Sequence, residues 1–196
     1  MESNRQASAT RRPIVGVMGS STDPCDDLAA PLGRWLAEFG VHLLNGGGGG
    51  VMAAVSRAYH GVSPRAGLVI GVLPDEANGM RHLASPDYPN PWVDVPVYTH
   101  LPVSGIEGTD HRSRNHINIL TSDVVIALPG NDGTRSEVDL AARYGKPVIA
   151  WFGTHPVSWT PPAGVRMARS LEDVQRFVRV CVGQVTRVCY GTLDVC

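Results

Sequence analysis

Apolar and polar positions alternate along this chain in a repeating strand-then-helix rhythm. Pro13-Ile14-Val15-Gly16-Val17-Met18 is a continuous apolar run of strand length, too short for a helix and bounded by small and polar residues. Leu28, Leu32, Trp35, Leu36 and Phe39 then recur at helical spacing, and Gly40 is a natural stop. Val41-His42-Leu43-Leu44 predicts a second strand. After the glycines Gly46 to Gly50, Val51, Met52, Val55 and Tyr59 predict a helix. Leu68 to Leu73 is a third strand, and Val93 to Tyr98 a short fourth. Ser113 to Thr121 has helical character through Ile117 and Leu120. Val124 to Leu128 is a fifth strand, Thr134 to Tyr144 a helix ended by Gly145, and Pro147 to Trp151 a sixth strand. Ser170 to Val182 forms a closing helix with Leu171, Val174, Phe177 and Val178 on one face.

Alternation of this kind predicts an α/β, Rossmann-like, doubly wound fold: a mostly parallel sheet with helices on both faces, in a single domain. The boundaries read as a flexible N-terminal arm over 1–12, a nucleotide-binding domain over 13–183 and a C-terminal tail over 184–196. The Pro- and Asn-rich stretch from Gly79 to Asp110 is too long for a simple connector and suggests a lid or an interface element.

Composition narrows the function. The 196 residues carry a formal net charge of −1, so no global field draws the chain to nucleic acid. No apolar run approaches the roughly 20 residues that span a bilayer, and the polar N-terminus lacks a secretory h-region, so a cytoplasmic protein is expected. Cys25, Cys181, Cys189 and Cys196 form no C-x-x-C pair and are expected to be free thiols. His100, His111 and His116 have no metal-ligand spacing, and no metal site is expected.

Ligands of doubly wound sheets bind beyond the carboxyl ends of the strands, and three loops rich in glycine or serine fall there: 19–23, 45–50 and 129–134. The five-glycine loop is followed by no lysine, so it is not a triphosphatase P-loop; it either approaches a ligand or only packs tightly. "PGNDGTRSE" at 129–137 is more specific. Thr134 is placed to cap a helix, and Glu137 three residues later completes a capping-box spacing. The same helix start offers free N–H groups to an anion, with Glu137 beside it for chemistry. Arg112 and Arg114 stand at another helix start, the end where a cation is disfavoured. That misfit suggests they grip a phosphate or carboxylate. Asp94, Asp110 and His111 are further polar candidates. The candidate ligand-binding set is Gly19, Ser20, Ser21, Gly47, Gly48, Gly49, Arg112, Asn115, Gly130, Asn131, Gly133 and Thr134, with Arg114 and Glu137 as candidate catalytic residues.

From Ile14 to Trp151 these pieces resemble the LONELY GUY (LOG) family, once described as lysine decarboxylases. Its motifs are an arginine–lysine pair and P-G-G-x-G-T-x-x-E; Pro129, Gly130, Gly133, Thr134 and Glu137 fall in register, as do the serine loop after strand one and "GGGGGVM". The resemblance implies cleavage of nucleoside 5′-monophosphates to base and ribose 5-phosphate. Arg114 and Glu137 would be catalytic, Gly130, Gly133 and Thr134 would hold the phosphate, and the assembly would be a homodimer or homotetramer. Asn115 stands where the family has lysine, Asn131 in place of the second glycine, and Ser136 in place of the first glutamate of an E-E pair. These departures, and Arg114-Asn115-His116-Ile117-Asn118-Ile119-Leu120, resemble the molybdenum-cofactor carrier proteins, which bind a phosphorylated pterin. No cofactor is required under the first resemblance; molybdenum cofactor would be a carried ligand under the second. Either way the partner is a small phosphorylated molecule, not nucleic acid or membrane.

Overall fold

The computed structural model of this chain describes residues 11–75 and 88–190, and of 185–190 the backbone only. Seven strands, Ile14–Met18 (β1), His42–Asn45 (β2), Val69–Leu73 (β3), Val95–Tyr98 (β4), Val124–Ala127 (β5), Val148–Ala150 (β6) and Arg166–Met167 (β7), form one sheet in the order β4-β3-β2-β1-β5-β6-β7. Every pair is parallel, with Val15 beside Leu43 on one side and Val124 on the other. Parallel neighbours need crossovers, supplied largely by the helices Asp26–Phe39 (α1), Gly50–His60 (α2), Asn115–Thr121 (α3), Asp132–Arg143 (α4) and Leu171–Tyr190 (α5). The result is a single α/β domain of the expected Rossmann-like kind.

Side chains alternate across the sheet, so each strand feeds two cores. Val15, Val17, Leu43, Val69 and Ile126 pack with α1, α2 and α5, through Leu32, Leu36, Val55, Tyr59, Val174 and Val178. Met18, Leu44, Val72, Val125 and Ala127 pack on the opposite face with Ile119 of α3 and Val138, Leu140 and Ala141 of α4. Strands buried on both faces explain why β1 and β5 read as unbroken apolar runs rather than as alternating ones. At Gly16 a Cβ would lie 2.2 Å from the Ser122 hydroxyl oxygen, so α3's end lies directly on β1.

Several boundaries differ from the sequence expectation. β7 was not foreseen, because two residues in a Pro- and Gly-rich stretch show no period. α4 begins at Asp132, with Asn131 as N-cap, so Thr134 lies inside the first turn and is not the cap. The capping box is therefore absent: the Asn131 side chain makes no cap hydrogen bond among the described residues, and Glu137 binds another helix instead. α5 runs through the expected end of the domain at 183 to Tyr190. The expected arm is tied down at its end, where Arg11 forms two hydrogen bonds to Asp123 at 2.7 and 3.0 Å and Arg12 donates to the Gly40 carbonyl. Of the expected lid, residues 79–87 lie outside the described residues. The remainder holds β4 and a short 3-10 turn, Gly105–Glu107. Cys25 and Cys181 are free and buried, as expected of them.

Candidate functional site

The strand order reverses direction between β1 and β5. The chain leaves β1 toward α1 on one face and leaves β5 toward α4 on the other, and the divergence opens a crevice at the strands' carboxyl ends. Backbone bonds lock its walls together. Ser20 N–H donates to the Pro129 carbonyl (2.8 Å), and Val51 N–H to the Ser20 carbonyl (2.8 Å). The Ser20 hydroxyl accepts from the N–H groups of Thr22 and Asp23 at 3.1 and 2.9 Å. Trp159, buried, donates its indole N–H to the Gly130 carbonyl at 2.8 Å and fixes the turn before α4.

A cavity of about 320 Å³ occupies the crevice. Its lining unites Gly19, Ser20 and Ser21 from the first loop, Arg114 and Asn115 from the start of α3, and Asn131, Gly133, Thr134 and Glu137 from the start of α4. The leading N–H groups of α4 have no intrahelical acceptors and, with the helix dipole, favour an anion there. A larger groove of about 620 Å³ lies between β7 and α5, walled by residues such as Met167, Phe177 and Arg176. It is far from the switch point and from the glycine loops, so the smaller crevice is the candidate site.

Arg114 is 7% exposed, and its Nε and Nη1 atoms have no hydrogen-bond partner among the described residues. A buried guanidinium with idle donors is costly unless a ligand supplies the acceptors. Glu137 accepts a bond from Asn118 Nδ2 at 2.9 Å. Burial pushes its pKa above the ordinary value, opposed by the nearby Arg114 charge and by the Asn118 bond. Asn118 Oδ1 is itself without a partner among the described residues. Arginine and glutamate thus face one cavity, the first charged and unsatisfied, the second inclined to keep its proton.

Other expected residues stand elsewhere. Arg112 is turned to solvent and bonded to Asp110 at 3.0 Å, which holds the Asp110 carboxyl down at about 2. It does not line the cavity, because the two-residue turn from 110 to 112 satisfies its charge locally. Gly47, Gly48, Gly49 and Gly130 do not line it either. The glycine loop is a platform: a Cβ at Gly46 would lie 2.6 Å from the Arg114 Nη1 and Nη2 atoms, and one at Gly48 would strike the Tyr88 ring. Gly130 allows the close approach of Thr134 and Ser20. Asp94 serves the fold, bonded to Arg65 at 2.8 Å and to Val69 N–H. His111 is exposed beside Asp110, and His116 bonds the Tyr144 hydroxyl at 2.6 Å. Thr22, Met52, Tyr88, Ser104 and Gly105 complete the lining and were not foreseen. Tyr88 and Ser104 flank strand β4, a region whose sequence has no motif; Thr22, inside the 19–23 loop, and Met52, at the end of "GGGGGVM", each carried a local signal.

The profile of the SLOG cluster4 family matches residues 12–174 of this chain. The fold resembles that of a molybdenum cofactor binding protein from the phototrophic bacterium Rippkaea orientalis, with TM-score 0.68 and 31% identity over 89% of this chain and 99% of that one. It also resembles the molybdenum cofactor carrier protein of Chlamydomonas reinhardtii, with TM-score 0.66 and 29% identity over 88% of this chain and 99% of that one. An uncharacterised protein of Archaeoglobus fulgidus is 30% identical over 172 residues, 86% of this chain and 93% of its own.

Proposed function

The chain belongs to the SLOG cluster4 family, and from that premise we propose that it binds and carries a small phosphorylated molecule, with molybdenum cofactor as the ligand. The observation that carries this reading is the buried Arg114 guanidinium, whose Nε and Nη1 donors have no partner among the described residues and stand beside the first turn of α4. A phosphate seated there would accept from both sources, a charge-assisted arrangement stronger than neutral hydrogen bonds. Met52 and the Tyr88 ring give the same cavity an apolar and an aromatic wall for a flat heterocycle.

Carriage rather than hydrolysis is supported by two features. Asn115 and Ser136, the residues that replace the LOG lysine and glutamate, bond to each other at 3.0 Å, and Ser136 in turn donates to the Gly133 carbonyl at 2.8 Å. A neutral, self-satisfied pair thus stands where the LOG motif has charged groups. Glu137 is also pushed toward its protonated form by burial. Burial of this kind disfavours the charged form, the form that would stabilise positive charge on a sugar ring. The similar chains of Rippkaea and Chlamydomonas, described respectively as a molybdenum cofactor binding protein and a molybdenum cofactor carrier protein, support the same ligand class.

One observation favours a second reading: Arg114 and Glu137 line one cavity, as N-glycosidic cleavage of a nucleoside 5′-monophosphate would require. There the carboxylate would stabilise the sugar cation and orient water, and Arg114 would hold the nucleotide. The two readings separate in one experiment. The protein is incubated anaerobically with molybdenum cofactor, gel-filtered and assayed for bound pterin; in parallel it is incubated with AMP, CMP and GMP and assayed for free base. Bound pterin without base release is expected. Base release that disappears in Glu137→Gln, with no pterin retained, overturns the carrier reading. Assembly as a homodimer or homotetramer in the cytoplasm belongs to the same proposal, and sedimentation tests the assembly.

A further inference from the structure

Beside the cavity, but outside it, lies a second constellation that the ligand site does not use. Asp23 and Cys25 stand in the β1–α1 connection, and His155 in the segment after β6. One ligand atom from each, a carboxylate oxygen, the thiol sulfur and a ring nitrogen, lies within 4.8 Å of the others. Around a tetrahedral zinc ion such atoms sit roughly 3.3–3.8 Å apart, so a small inward adjustment closes the set. We propose that Asp23, Cys25 and His155 bind one zinc-class divalent cation, with Asp27 orienting the histidine.

The surroundings fit that assignment. Cys25 is buried while Asp23 is exposed, so the thiol forms the floor and the carboxylate the mouth of the site. Asp23 accepts from the Cys25 backbone N–H at 3.0 Å, which holds its carboxylate beside the residue that carries the thiol. Asp27 meets His155 Nε2 at 2.9 and 3.1 Å. A carboxylate on one ring nitrogen is the usual means of orienting a histidine whose other nitrogen takes a metal. Charge favours a cation. Asp23, Asp26 and Asp27 cluster around the thiol; Asp26 is countered by Arg57 at 2.7 Å, whereas no cation is paired with Asp23 among the described residues. One thiolate, one imidazole and one carboxylate suit zinc rather than magnesium or calcium, which prefer oxygen alone. On binding, the sulfur–metal bond forms as the thiol proton passes to solvent, with no change of oxidation state.

The site would join the β1–α1 loop to the segment after β6. Asp23 N–H donates to the Ser20 hydroxyl at 2.9 Å, so one hydrogen bond separates the ion from the wall of the ligand cavity. Spacing along the sequence gives no hint of it, because the ligands come from opposite ends of the domain.

Titration of the full chain with Co²⁺, followed by absorption, tests the assignment. Saturable binding of one ion with sulfur-to-cobalt charge-transfer absorption is expected. The band should vanish in Cys25→Ser, binding should weaken at least about 100-fold in His155→Ala, and by about 10–100-fold in Asp27→Asn. Zn²⁺ should displace Co²⁺ and raise the thermal midpoint of the wild type but not of His155→Ala. A band that persists in Cys25→Ser, His155→Ala binding as tightly as wild type, or no band at millimolar Co²⁺ each overturns the proposal.

Discussion

Replacing Arg114 by methionine separates a ligand-binding role from a structural one. The guanidinium is 7% exposed, with Nε and Nη1 unpartnered among the described residues. Removing it orphans no acceptor bonded to those two atoms, and methionine refills most of the aliphatic volume. Glu137 loses a cationic neighbour that opposes the rise of its pKa on burial. The unfolding free energy should therefore change by no more than about 1 kcal/mol, against the about 3–5 kcal/mol that follows when one partner of a buried ion pair is removed. Binding should respond very differently. Two charge-assisted bonds to a phosphate contribute about 1.5–3 kcal/mol each. The N–H groups of α4 remain, so not all of that sum is lost; an affinity decrease of at least about 100-fold, or about 2.7 kcal/mol, is the expected floor. Calorimetric titration with AMP, a stable phosphomonoester, and urea unfolding of the same preparations supply both numbers. A variant that loses about 3 kcal/mol of stability or more while holding AMP as tightly as wild type would refute the reasoning and make Arg114 a structural residue.

Two further substitutions test the same geometry. Glu137 has a folded-state pKa raised above its ordinary value of 4.5, so its contribution to stability is whole below that value and is lost as pH rises through the raised one. Glu137→Gln keeps the shape and an acceptor for Asn118, so its stability relative to wild type should climb as pH rises above the ordinary carboxyl value in urea melts; a flat or falling difference contradicts a destabilised carboxylate. Gly46→Ala places a Cβ 2.6 Å from the Arg114 Nη1 and Nη2 atoms. The side chain must swing aside, and AMP affinity should fall about 10-fold with less than about 1 kcal/mol of lost stability; unchanged affinity would mean that the guanidinium's seat on the glycine loop does not matter.

The amino-acid sequence by itself determined the layered α/β architecture. Unbroken apolar runs of strand length such as Val124 to Leu128 read as strands covered on both faces, and the spacing of Leu32, Leu36 and their neighbours reads as one stripe of a helix. It also placed Arg114, Glu137 and the loops at 19–23, 45–50 and 129–134 as candidates, because small residues and helix starts at strand ends leave a local signature. Tertiary structure decided what those residues meet. Two arginines two positions apart looked alike in sequence, yet a turn gives Arg112 to Asp110 and solvent, while helix α3 carries Arg114 under the glycine loop with idle donors. Glu137 fits a capping box by spacing, yet an earlier helix start turns it toward Asn118. Asn115 finds Ser136, and Cys25 finds His155, only across the fold. Periodicity records which face of an element is buried; hydrogen bonds and charge pairing between elements depend on distances that no local pattern encodes.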